Sequence, residues 1–214
     1  SQDANAIGSH EFRVTTLNVI EPVRFVTSNI KANVRTTFNV TVSLRSANDT
    51  VFVTKETEAL FGIVTLFDVG VASGACVVSK PVSLGSDDAD GTLRLEFVGD
   101  SITCGFGVLG KAPCNFTSAS ESFSAAWAGL VGNAFASTQK TRFHAESWSG
   151  KGVVRNYGGA AGPTMPQLFR NALANDPSVS WNFSSFQPDI LTILLGCNDF
   201  STEPRPSFAS FKQG

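Results

Sequence analysis

No apolar run in this 214-residue sequence is long enough to cross a bilayer. The longest, Ile190 to Gly196, falls far short of the roughly 20 residues that a spanning helix needs. An excess of one charge is missing too. Sixteen Lys and Arg stand against 18 Asp and Glu, giving a formal net charge of −2 and a pI near 5.7. There is thus no cationic face for nucleic acid or anionic lipid. Charged residues make up only 16% of the chain and hydrophobic ones 42%, which excludes a disordered polyelectrolyte and fits a chain that buries one large core or two small ones. Internal repeats and low-complexity tracts are absent. Residue 1 is Ser, and no apolar signal-peptide core follows it. That suits either a trimmed chain or a mature secreted one.

Four sequons favour the secreted reading: Asn39-Val-Thr, Asn48-Asp-Thr, Asn115-Phe-Thr and Asn182-Phe-Ser. Cysteine is scarce but even in number. Cys76, Cys104, Cys114 and Cys197 suit an oxidising compartment and allow three full pairings.

Residues 11 to about 84 hold short β-branched and aromatic runs and no long helical pattern. Phe38 to Leu44 alternates strictly between apolar and polar. Turn material such as Ser46-Ala-Asn-Asp49 and Ser73-Gly74 separates the runs, a pattern that predicts a β-sandwich. A charged, glycine-bounded break at "LGSDDADG" (84–91) marks the expected boundary, giving a β-sandwich domain over 1–88 and a second domain over 89–214. In the second, Leu93 to Val98 and "TRFHAES" (141–147) read as strands. Glu121 to Ala136 reads as a helix with Phe123, Trp127, Leu130, Val131, Ala134 and Phe135 on its inner face. A further helix is expected at 165–175 with Leu168, Phe169 and Leu173 inward. "DILTILLG" (189–196) reads as a central parallel strand covered on both faces. Strand, helix, strand, helix, strand predicts a three-layer α/β domain.

Three of these strand ends finish in polar turns: Gly99-Asp100-Ser101, Ser149-Gly150-Lys151-Gly152 and Gly196-Cys197-Asn198-Asp199. A parallel sheet gathers such ends along one edge. There Ser101 can attack an acyl carbon, while the Ser101 and Gly150 N–H groups and the Asn198 amide converge on the oxyanion. Taken singly, each is also an ordinary turn residue.

Together "EFVGDSITCGFGV", "SWSGKGVVRNYGG" and "FQPDILTILLGCNDF" resemble the SGNH (GDSL-type) hydrolase superfamily, and in it carbohydrate esterase family 2 most closely. So does "VTKETEALFGIVTLFDVGV", which is similar to that family's K-x-T-E segment. The resemblance implies an N-terminal jelly roll joined to an SGNH domain. It also implies Ser101 as nucleophile, Gly150 and Asn198 in the oxyanion hole, and Asp100 and Asp199 as structural supports. The implied activity is removal of O-acetyl groups from cell-wall polysaccharides or oligosaccharides, with no metal or organic cofactor. Trp148, Lys151, Arg155 and Asn156, beside the glycine block, are expected either to contact sugar or to be an aromatic and polar groups on an exposed loop.

The family's base is a histidine near the C-terminus of its domain. This sequence holds only His10, before the sandwich, and His144, inside an expected strand. The expectation is that the base follows Gly214, on a segment continuous with the chain or cleaved and retained. Without it the present residues are inactive and leave the apolar edge of Ile190–Leu195 open. The rival is a catalytically inactive esterase scaffold that binds glycan or serves structurally outside the cell; an esterase of lipids lacks an apolar lid. Cys104 and Cys114 flank a short loop and are expected to pair, with Cys104–Cys197 as the alternative.

Overall fold

The computed structural model describes residues 10–16, 23–27, 36–42, 44, 50–71, 91–113 and 116–214. Strands β1 (Glu11–Thr16), β2 (Val23–Val26) and β3 (Val51–Lys55) form an antiparallel sheet in the order β2-β1-β3. Phe12 lies opposite Phe25 in this ladder, and their rings stack with centroids 5.2 Å apart. The described part of the alternating run at Phe38, residues 38–42 and 44, is not in a strand. It carries no ladder to any described residue, and alternation alone does not provide the paired N–H and C=O groups a strand requires. "LFGIVTLFDVGV" also departs from expectation, becoming one helical turn at Ala59–Phe61 and then irregular chain with Ile63, Leu66 and Phe67 exposed. The run from Cys76 to Leu84, and all but the last residue of the expected boundary, lie outside the described residues.

The second half contains β4 (Leu93–Gly99), α1 (Ser101–Cys104), α2 (Trp127–Ala136), β5 (Thr141–Ser147) and α3 (Met165–Leu168). A hairpin of β6 (Asn171–Leu173) and β7 (Asp176–Ser180) follows, then β8 (Ile190–Leu194) and α4 (Phe208–Gln213). Strands β5, β4 and β8 form a parallel sheet with β4 in the middle. Alternation along β4 builds two cores. Leu95 and Phe97 pack with Ala128 of α2, and with Trp127 and Phe143 around them. Val98 packs on the other face with Met165 and Leu168 of α3 and with Trp148.

The α2 helix differs from its expected form in start and in face. It begins at Trp127, because Glu121 to Ala126 are taken up by short turns whose polar groups bind elsewhere. Its buried residues are Ala128, Gly129 and Gly132, small enough to bring the backbone against Phe143 and the 123–125 turn. Leu130, Val131 and Phe135 face outward. The helix expected at 165–175 stops at Leu168, and the chain reverses into the β6–β7 hairpin with Leu173 exposed. β8 is not covered on both faces. Among the described residues it pairs with β4 alone, and Ile190, Leu191, Ile193 and Leu194 are all more than a third exposed.

Phe97 is the centre of the α2-side core, 3% exposed and edge-on to Trp127 at 5.3 Å. Phe97→Ala is expected to cost about 3–5 kcal/mol, read as a lower midpoint in urea denaturation at unchanged slope.

Candidate active site

Parallel register brings the strand ends level. Gly99 of β4 lies beside Ser147 of β5 on one side and Leu194 of β8 on the other. The loops that follow therefore emerge at one edge, where open α/β sheets place their chemistry. Gly99 is required by the tightness of the strand-to-helix turn, since a Cβ there would fall 2.0 Å from Thr103 Oγ1. Asp100 then caps α1, its Oδ1 accepting the Ile102 N–H at 3.0 Å. Ser101 is the first residue of that helix and is half-buried.

The three loops are joined by hydrogen bonds. Asn198 Nδ2 donates to Asp100 Oδ2 at 3.1 Å and to the Lys151 carbonyl at 2.8 Å. One buried amide thus ties the residue before Ser101 to the residue after Gly150, and both its hydrogens are engaged. Gly150 has φ of +79°, which favours glycine, and a Cβ there would have open space within 3.8 Å. Asp199 is fully buried. Its Oδ1 accepts from the Val154 and Arg155 N–H groups at 2.7 and 2.9 Å, and its Oδ2 from Val153 at 2.9 Å. Burial, chiefly, and the nearby Asp199 charge raise the Asp100 pKa, against the Ile102 N–H, which lowers it.

The loop residues beside Gly150 divide. The Lys151 ammonium sits over the Trp148 ring, 4.8 Å from its centroid, and also donates to the Pro163 carbonyl. Arg155 and Asn156 turn inward. The Arg155 guanidinium binds Thr202 through its carbonyl and hydroxyl, both at 2.9 Å. Asn156, 3% exposed, accepts from Gly152 and donates to the Ala160, Gly162 and Pro163 carbonyls. Both side chains thus brace the loop.

Neither histidine is at this edge. His144 is opposite Glu96, three residues below the end of β5, or about 10 Å at strand rise. Its Nε2 lies 3.2 Å from Glu96 Oε1 but off the line of a hydrogen bond, and its ring meets Phe186 edge-on. Burial lowers its pKa. His10 is buried beside Thr27, and burial with the Lys55 charge holds its pKa down at about 4.

Cys104 is a buried free thiol, and Cys197 is free and exposed, so Cys104–Cys197 is not formed. The expected partner, Cys114, lies outside the described residues, as do Cys76 and the sequons at Asn48 and Asn115. The Cys104 thiol points inward toward Ser147 and Ser149, and burial raises its pKa well above the ordinary value. Asn39 and Asn182 are exposed.

The sequence pattern missed the second tier of the site. Glu56 and Glu58, just beyond β3, are buried and reach across to the α/β half. Glu56 accepts from the Ser122 hydroxyl and from the Ser124 N–H and hydroxyl at 2.7–2.9 Å. Glu58 accepts from Ser149. The likeness of Lys55-Glu-Thr-Glu58 to a family segment was the one signal of it.

Glu146 lines a cavity of about 160 Å³ with Trp148, Met165 and Leu168. Burial, then the Glu96 charge, raise its pKa to about 8. The native state therefore keeps a proton that the unfolded chain, titrating near 4.5, has released. That group's contribution is most favourable below the unfolded value and is lost as pH rises toward 8. Glu146→Gln is expected to reduce the stability lost between acid and pH 8, measured by urea midpoints across that range; an equal loss in both proteins would count against it.

Residues 95–212 match the GDSL-like lipase/acylhydrolase family model. The cellulase/esterase CelE of Acetivibrio thermocellus is 33% identical over 150 residues, covering 69% of this chain and 17% of that protein. An acetylxylan esterase/glucomannan deacetylase of Cellvibrio japonicus is 31% identical over 115 residues, 51% of this chain and 30% of its own length. An active-site mutant of a family two carbohydrate esterase from Clostridium thermocellum superposes with a TM-score of 0.76 at 27% identity, covering 97% of this chain and 58% of that one. The chain thus spans well under two thirds of each relative.

Proposed function

The chain belongs to the GDSL-like lipase/acylhydrolase family, and we propose that it is a serine carbohydrate esterase that removes O-acetyl groups from cell-wall polysaccharides or oligosaccharides. One observation carries the reading: the Asn198 amide bridges the nucleophile turn to the Gly150 loop, beside a serine on a capped strand-to-helix turn. Two similar proteins, named as esterases of carbohydrate, support the substrate class.

In this reading Ser101 Oγ attacks the acetyl carbonyl carbon. The Ser101 and Gly150 N–H groups receive the developing oxyanion. Asn198 joins them by giving up its longer bond, that to Asp100. The tetrahedral intermediate collapses to an acetyl-Ser101 ester as the sugar hydroxyl leaves with a proton, and water then releases acetate. The base that takes the Ser101 proton is a histidine outside residues 1–214, since His10 and His144 stand away from the edge. The three-stranded sheet belongs to the β-sandwich assigned to residues 1–88. The exposed sequon residues Asn39 and Asn182 support an extracellular setting.

A second reading, an inactive glycan-binding scaffold, draws on the absence of an imidazole at Ser101 among the described residues. Acetate release from acetylated xylan by the full-length protein separates the two. Ser101→Ala is expected to abolish it with the fold intact, and Asn198→Ala to lower kcat about 10²–10³-fold. Undiminished turnover by the Ser101 variant would sink the assignment.

A further inference from the structure

We infer that Glu58, which the chain contributes from the N-terminal sheet, positions the Gly150 N–H of the oxyanion hole by gripping both donors of Ser149. The inference rests on the esterase reading above and adds a residue to that site. Glu58 Oε2 accepts the Ser149 N–H at 2.6 Å, and Oε1 accepts the Ser149 hydroxyl. A carboxylate holding two donors of one residue fixes that residue's orientation as well as its distance. The next peptide plane carries the Gly150 N–H, so its direction follows from how Ser149 is held.

The other residues of this bend are anchored independently. The Trp148 N–H donates to the Gly99 carbonyl, the Gly150 carbonyl accepts from Tyr157, and the Lys151 carbonyl accepts from Asn198. Glu58 supplies the restraint at position 149.

Glu58 is itself held. Its N–H donates to Glu121 Oε1 at 2.5 Å, and Lys55 Nζ caps the Thr57 and Glu58 carbonyls. Glu121 is fully buried, and its Oε2 accepts no hydrogen bond. Burial and the Glu58 charge raise the Glu121 pKa to about 8. Burial raises the Glu58 pKa as well, while its two Ser149 donors favour the charged form and act to lower it.

The experiment uses the full-length protein with 4-nitrophenyl acetate as the probe. Glu58→Gln keeps one acceptor and is expected to lower kcat about tenfold. Glu58→Ala should lower it about a hundredfold, less than deleting a donor outright. Ser149→Ala, which keeps the N–H and loses the hydroxyl, is expected near the Gln variant. KM and the melting temperature of Glu58→Gln and Ser149→Ala should stay close to those of the parent. If Glu58→Ala does not fold, those two variants decide. Parental kcat in them overturns the inference, as does a loss confined to KM or one that follows melting temperature. Ser101→Ala runs alongside: persistent activity there refutes the esterase reading itself, whereas its loss with an unaffected Glu58→Gln refutes only the role of Glu58.

Discussion

Asp199 accepts three successive backbone N–H groups, from Val153, Val154 and Arg155, with no part of its side chain exposed. Loops at the end of a parallel sheet have no ladder to satisfy their backbone, and a buried unpaired N–H costs about 1–3 kcal/mol. A carboxylate can take several such donors at once. Losing water is expensive for the charge, but each N–H that it gathers offsets part of that cost. The Gly150 loop is an ordered bend because that carboxylate, with Asn156 and Glu58, supplies acceptors that the backbone cannot.

The same device joins the two halves of the chain. Glu56 leaves β3 and binds Ser122 and Ser124, and Glu58 binds Ser149. Glu56 is also approached by Arg13 and Arg24 from β1 and β2. The antiparallel sheet thus reaches the α/β half through directional, charge-assisted bonds. This explains the late start of α2. The segment before Trp127 spends its polar groups on Glu56 and Glu58, so a helix from Glu121 would forfeit those bonds.

What was legible in the sequence was local. β4 and β5 read correctly because short strand-like runs ended in glycine and serine, and those endings located the candidate edge. The face of α2 misled because Leu130, Val131 and Phe135 look like a core stripe, whereas close packing onto Phe143 selects the glycines and alanine. The 165–175 segment misled because Leu168, Phe169 and Leu173 fit helical spacing. The chain instead turns back at Ala174-Asn175, and Pro177 in the returning strand cannot continue a helix. Glu58 was legible only through the likeness of its segment to a family motif: its partner is 91 residues away, and no local pattern reports such a bond.

Positioning the serine and activating it are separable in this architecture. Sheet register, the Asp100 cap and the Asn198 bridge set Ser101 and its neighbours without reference to a base. A protonated serine is a weak nucleophile, yet oxyanion donors and substrate binding alone retain about 10³–10⁴-fold catalysis over water in serine hydrolases stripped of a triad member. In the esterase reading, such an edge holds the oxyanion donors in place independently of the base. An imidazole would add proton transfer to a geometry that buried carboxylates already fix.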